Sequence, residues 1–259
     1  MSVPEIRTVD VVRYVKPLRE GGSLPAIVEA DDGFLYVIKF RGAGQGKKAL
    51  IAELIGAELA RAMDLNVPEI VLMNLDESFS RMEGDQEIQD LLKFSIGLNL
   101  GLHFLTGAFT YDPLISKADP MTSSKVVLLD SIITNIDRTV KNTNILNWNR
   151  ELWLIDHGAS LYFHHNWSQW ENHLDRTFPM IKDHVLLERA EVLDDAAQLI
   201  KEKINAEVIS KIVDTIPDDF LNEQSDDFSV SNKREIYKKL LLAKLSNIDK
   251  LLKEATHAR

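Results

Sequence analysis

Asp137, Asn142 and Asp156 are the residues whose types and spacing could do chemistry. In Asn135-Ile136-Asp137-Arg138-Thr139-Val140-Lys141-Asn142 an aspartate precedes an asparagine by five positions, and Leu154-Ile155-Asp156-His157-Gly158 adds a second aspartate fourteen residues further on. This set suits phosphoryl transfer from a metal-bound nucleotide: Asp137 beside an attacking hydroxyl, the Asn142 amide oxygen and the Asp156 carboxylate on magnesium. Ile145-Leu146-Asn147 and Leu152-Trp153-Leu154-Ile155 predict two short strands around the polar turn from Trp148 to Glu151. Such a hairpin returns Asp156 to the end where Asn142 sits. Each motif alone also fits an ordinary surface turn, Asp-Arg as a salt-bridged one and Asp-His-Gly as one closed by glycine. Their joint spacing carries the functional reading.

Transfer of this kind also needs a cation near the phosphates. Lys39, in Tyr36-Val37-Ile38-Lys39-Phe40, lies on a predicted strand between a hairpin and a helix, although a strand lysine alone is commonly just solvent-facing. The helix that follows offers two carboxylates to hold such an ammonium, Glu53 and Glu58, about 140° apart around the axis. Periodicity favours Glu58, which interrupts the apolar stripe; pairing with Arg61 is its ordinary alternative. Gly21, Gly22 and Ser23 fit either a loop that covers phosphates or a plain turn. Gly42-Ala43-Gly44-Gln45-Gly46-Lys47-Lys48 fails as a P-loop, because Arg41 and Lys48 stand where glycine and Ser or Thr belong, and reads as a link into the helix. Arg138 steadies its loop or meets a phosphate, with loop support favoured, and Asp130 reads as a local hydrogen-bond partner. His164 and His165 are adjacent without metal-ligand spacing and, like Trp148, Trp153, Trp167 and Trp170, read as packing residues.

Residues 1–74 read as a small antiparallel sheet with one helix. Ala26 to Ala30 and Phe34 to Phe40 predict a hairpin around Asp31-Asp32-Gly33, and Ile70 to Met73 another strand. From Lys47, Ile51, Leu54, Ile55, Leu59, Ala62 and Met63 form a helical stripe that Asp64-Leu65-Asn66 and Pro68 stop. The polar stretch from Asn74 to Asp85 suggests a connection, so the second domain is expected over 75–259. There Gln86 to Phe104 is mostly helical in period, and Thr122 or Ser123 caps a helix to about Thr134 whose end feeds the Asp137 loop.

Composition narrows the classes. A chain of 259 residues with 45% hydrophobic content can bury a large core. It has no cysteine, so disulfides and thiolate metal sites are excluded, and with no secretory signal or apolar span of eighteen residues a cytoplasmic protein without a membrane span is expected. A formal charge of −10 argues against nucleic acid as the main ligand.

Taken together, Tyr36-Val37-Ile38-Lys39-Phe40, Ala52-Glu53 leading to Leu65-Asn66-Val67-Pro68, Asn135-Ile136-Asp137-Arg138 with Asn142, and Ile155-Asp156-His157-Gly158 resemble the HipA-like branch of the protein-kinase-like superfamily. The Asp-Arg-x3-Asn form is also similar to phosphatidylinositol 3- and 4-kinases. The resemblance implies an α+β, two-lobed fold, with a sheet-plus-helix N-lobe and a mainly helical C-lobe, binding ATP and Mg2+ between the lobes. It implies Lys39 as phosphate contact, Glu53 as its ion-pair partner, Asp137 as catalytic base, and Asn142 and Asp156 as magnesium ligands. The implied reaction moves the γ-phosphate to a protein Ser or Thr hydroxyl. The acceptor, protein or small molecule, and the oligomeric state are left unspecified. Two rival readings are a pseudokinase or nucleotide-binding interaction protein, and a small-molecule or lipid kinase. Full-length HipA toxins are longer, so toxin function does not transfer, and His157 replaces the phenylalanine of ordinary protein kinases.

Overall fold

Short apolar strands, some alternating and some nearly continuously buried, set the architecture of the first half of the chain. The computed structural model describes residues 5–18, 24–82, 84–222 and 228–259. The strands are β1 (Thr8–Pro17), β2 (Ala26–Ala30), β3 (Leu35–Lys39), β4 (Ile70–Leu75) and β5 (Gly97–His103). They close into a barrel in the order β1-β2-β3-β5-β4. Neighbours are antiparallel except at the closure, where Thr8, Val9 and Asp10 pair in parallel with Leu72, Met73 and Asn74. The β2–β3 hairpin turns at Asp31-Asp32-Gly33 as expected, with Gly33 at φ +81°, a conformation glycine adopts without strain. Val9, Val11, Val28, Tyr36, Ile38, Val71 and Met73 fill the barrel.

The expected antiparallel sheet is thus corrected to a closed barrel with one parallel pairing, and β1 joins it unanticipated. The helix expected from Gln86 to Phe104 divides into α3 (Gln86–Phe94) and β5. Asp85 starts α3 by accepting the Glu87 and Ile88 amides. Beyond it Leu98, Leu100 and Leu102 follow the period of a strand. A Cβ at Gly101 would crowd the Met73 side chain and Val71 Cγ2, so a larger residue there would require those side chains to shift. The barrel unit therefore comprises Pro4–Ile51 and Pro68–Thr106, and the domain boundary expected at 74/75 falls inside it.

The second unit comprises Ala52–Val67 and Gly107–Arg259. Its first helical segment belongs to α1 (Lys47–Ala62), which is buried all round from Leu50 to Ala60 rather than along one stripe. A short α2 (Ser78–Met82) precedes α3 in the barrel unit. The centre of the second unit is α4 (Pro120–Ile133), apolar on every side from Val126 to Ile133 apart from Asp130 and Ser131, as befits an interior helix. Its cap is Asp119, three residues before Thr122, because the carboxylate accepts the Thr122 amide and Pro120 suits the first helical position. Around α4 pack α5 (Leu193–Lys203), α8 (Val230–Ser246) and α9 (Ile248–Ala258), while α6 (Ala206–Asp214) and α7 (Asp218–Leu221) lie against α8. A three-stranded sheet of β6 (Phe109–Thr110), β7 (Ile145–Trp148) and β8 (Glu151–Leu154) contains the expected hairpin.

Candidate active site

At the end of α4, Thr134 takes a left-handed conformation, φ +55°, and turns the chain into the Asp137 loop. Asn135 braces that turn twice: its amide group donates to Asp130 Oδ1 at 3.2 Å, and its Oδ1 accepts the Asp137 N–H at 3.0 Å. The loop closes on itself where the Thr139 N–H meets the Asn142 carbonyl at 2.9 Å. Within it the Asp137 carboxylate accepts through Oδ2 from the amide groups of Asn142, at 2.8 Å, and Asn144, at 3.2 Å. With Nδ2 given to Asp137, the remaining polar atom of the Asn142 amide is its acceptor oxygen Oδ1.

Arg138 runs the other way and is 1% exposed. Its Nε donates to Asp130 Oδ2 at 2.6 Å, and its Nη1 donates to the carbonyls of Asn144 and, at 3.2 Å, Ile155. Nη2 is buried without a hydrogen-bond partner among the described residues. His184 Nε2 lies 2.9 Å from the same Asp130 oxygen, and His184 Nδ1 accepts the Leu186 N–H at 3.0 Å, which puts the ring proton on Nε2. Burial pushes the Asp130 carboxyl up, but the Arg138 charge and the His184 hydrogen bond outweigh it and hold the group below the usual carboxylate range. The loop therefore rests on a buried ion cluster, and Arg138 supports it from inside.

Asp156 is joined to this loop through its neighbour, since the Ile155 N–H donates to the Asn144 carbonyl at 3.1 Å. Asp156 itself has φ +56°, a left-handed conformation uncommon for a residue with a side chain. Next to it, His157 is fully buried, and its N–H donates to Glu53 Oε2 at 2.8 Å while its Nδ1 lies 3.4 Å from Glu53 Oε1. Glu53 is thus a fully buried residue bonded to the backbone beside Asp156. Glu58 is buried and paired with Arg61.

Lys39 closes β3 in the barrel unit, partly buried and opposite Leu100. Gly21, Gly22 and Ser23 lie outside the described residues. The glycine cluster from Gly42 is a turn into α1, held as Gly42 N–H meets Ser95 Oγ at 3.2 Å. His164 is buried with Nδ1 2.8 Å from the Tyr237 hydroxyl, and Trp148 and Trp153 meet edge to face across the hairpin. Sequence reasoning placed Asn135 in the motif without giving it a role, and missed Asn144 and His184. Asn144 carried a local signal, a second asparagine two residues after the first; His184, 54 residues from Asp130, carried none.

Among the described residues no cluster of three His, Cys, Asp or Glu forms a metal cage. One carboxylate, Asp156, and one amide oxygen, that of Asn142, would suit a magnesium ion in another way, because Mg2+ keeps several waters and takes one or two carboxylates together with substrate phosphates.

No curated protein matches the chain. Among solved structures it is similar to the Helicobacter pylori proinflammatory kinase CtkA, at 14% identity and TM-score 0.51 over 97% of each chain. It is also similar to the Golgi casein kinase with Mn/ADP bound, at 11% identity and TM-score 0.52 over 99% of this chain and 74% of that one. These likenesses establish a kinase-like fold. The family model described as HipA-like kinase matches residues 11–249, and the chain belongs to that family.

Proposed function

We propose that this protein transfers the γ-phosphate of Mg-ATP to a Ser or Thr hydroxyl of a protein. The observation that carries the reading is the Asp137 carboxylate, held through Oδ2 by the amides of Asn142 and Asn144, as the group that would take the acceptor's proton. Asn142 and Asp156 would hold magnesium, which when bound neutralises charge on the phosphates. Lys39 keeps the phosphate contact that the family resemblance implies, and Glu53 supports the segment that carries Asp156. The Mn/ADP held by one structural neighbour supports a nucleotide with a divalent metal as the ligand pair.

The test is incubation of the purified protein with Mg-ATP and a mixed Ser/Thr peptide pool, wild type beside Asp156→Ala, followed by intact mass of protein and peptides. Phosphate gain in the wild type and none in the variant is expected. Phosphorylation of lipid vesicles or small alcohols with no peptide or protein modified would overturn the acceptor class. Nucleotide that raises the melting temperature without any transfer would overturn turnover itself.

A further inference from the structure

Glu53 and Gly56 stand three positions apart on α1, one above the other on the same face. Both meet His157. Glu53 takes its N–H and faces its Nδ1, and Gly56 leaves the space its ring occupies. A Cβ at Gly56 would stand 2.6 Å from His157 Cβ, 2.8 Å from Cγ and 3.0 Å from Cδ2, closer than packed atoms allow. Glycine inside a helix is a standing cost relative to alanine, so an interior glycine that a neighbouring side chain fills has a packing reason.

We propose that Gly56 is a positioning residue for phosphoryl transfer: its missing side chain seats His157 against α1, Glu53 grips the seated backbone, and the seat holds Asp156 in its left-handed conformation. A left-handed aspartate persists only where its surroundings over-determine it, and the two residues on α1 supply that constraint. The chain of contact is short, from Gly56 to the His157 ring, from Glu53 to the His157 N–H, and one peptide bond back to Asp156. The inference rests on the proposed transfer reaction for its kinetic consequence and on geometry alone for the seat.

The test measures hydrogen exchange of the unliganded protein and the Mg2+ dependence of transfer in wild type, Gly56→Ala and Gly56→Ala/His157→Gly. In Gly56→Ala the His157 amide is expected to exchange at least roughly tenfold faster, and half-maximal transfer to need roughly tenfold more Mg2+, the scale a single overpacked contact sets. Removing the ring and its Cβ in the double variant removes all three close approaches, so protection at position 157 and most of the Mg2+ affinity return. His157→Ala in its place keeps the 2.6 Å approach and rescues less. Unchanged exchange at His157 in Gly56→Ala, or equal damage in single and double variants, would overturn the seat. Should Gly56→Ala also expose α4 amides, recovery in the double variant still decides the matter. A wild type that transfers no phosphate leaves the exchange measurement to judge the seat, while the function reading fails separately.

Discussion

Two arginine-centred clusters, one in each unit, use the same chemistry in opposite surroundings. In the barrel unit Arg7 joins Asp32 at 3.0 Å, Glu69 at 2.9 Å and the Tyr36 hydroxyl at 3.1 Å, with the Arg7 side chain 45% exposed. In the second unit Arg138 joins Asp130 at 2.6 Å with both side chains 0% exposed. Water competes for the first cluster and salt screens it, so it tacks strand ends together at little net gain. The second is sealed, so the Asp130 carboxylate depends on the Arg138 charge and the His184 hydrogen bond to remain ionised. It is also the cluster from which the Asp137 loop hangs, and a rigid charged anchor fixes the loop backbone on one side while the half-buried Asp137 carboxylate meets Asn142 and Asn144 on the other.

The sharpest separation of anchor from chemistry is Asp137→Asn. Transfer should fall by about 10²–10⁴-fold, the range of general-base contributions, with the melting temperature within a few degrees of wild type. Equal loss of stability and transfer would show that Asp137 belongs to the anchor instead. Arg138→Met should behave the other way round, costing about 3–5 kcal/mol in urea unfolding because Asp130 is left buried without its main counter-charge.

That variant should also invert the pH dependence. In the wild type the folded Asp130 carboxyl lies below the ordinary aspartate value of 3.8, so its stabilisation is complete above that pH and is lost only as pH falls through the lower folded value. With Arg138 gone, burial raises the carboxyl and stability should rise, relative to wild type, as pH is lowered from 7 to 5. Urea midpoints across that window check the sign. Arg7→Met marks the other extreme: about 1 kcal/mol or less, shrinking in high salt, with transfer per folded molecule unchanged. A loss from Arg7→Met as large as from Arg138→Met would remove the distinction between exposed and sealed clusters.

Much of the candidate site was legible because its parts are near neighbours along the chain. Asp137 and Asn142 share one loop, the hairpin from Ile145 to Leu154 has its own alternation and turn, and α1 and α4 show as long apolar runs bounded by stop and cap residues. Barrel closure was not legible, since Thr8 meets Leu72 only after two intervening hairpin strands and a helix have packed. The stretch from Gln86 to Phe104 misled because α3 runs almost directly into β5, and its glycines weaken a helical reading without saying where a strand begins. Asn144 could have been suspected, but its amide reaches Asp137 only because it too sits in a left-handed turn, φ +50°.

Residue types and covalent spacing determined that an aspartate, an asparagine and a second aspartate would come to one end of a hairpin, because a five-residue loop and a two-stranded turn leave few other paths. Which groups hold that end in place was decided by tertiary packing. Asp130 finds His184 across 54 residues and Glu53 finds the His157 amide across 104, separations at which local geometry imposes nothing. Those pairings form because a buried polar group without a partner is costly, and only the folded interior determines which partner is within reach.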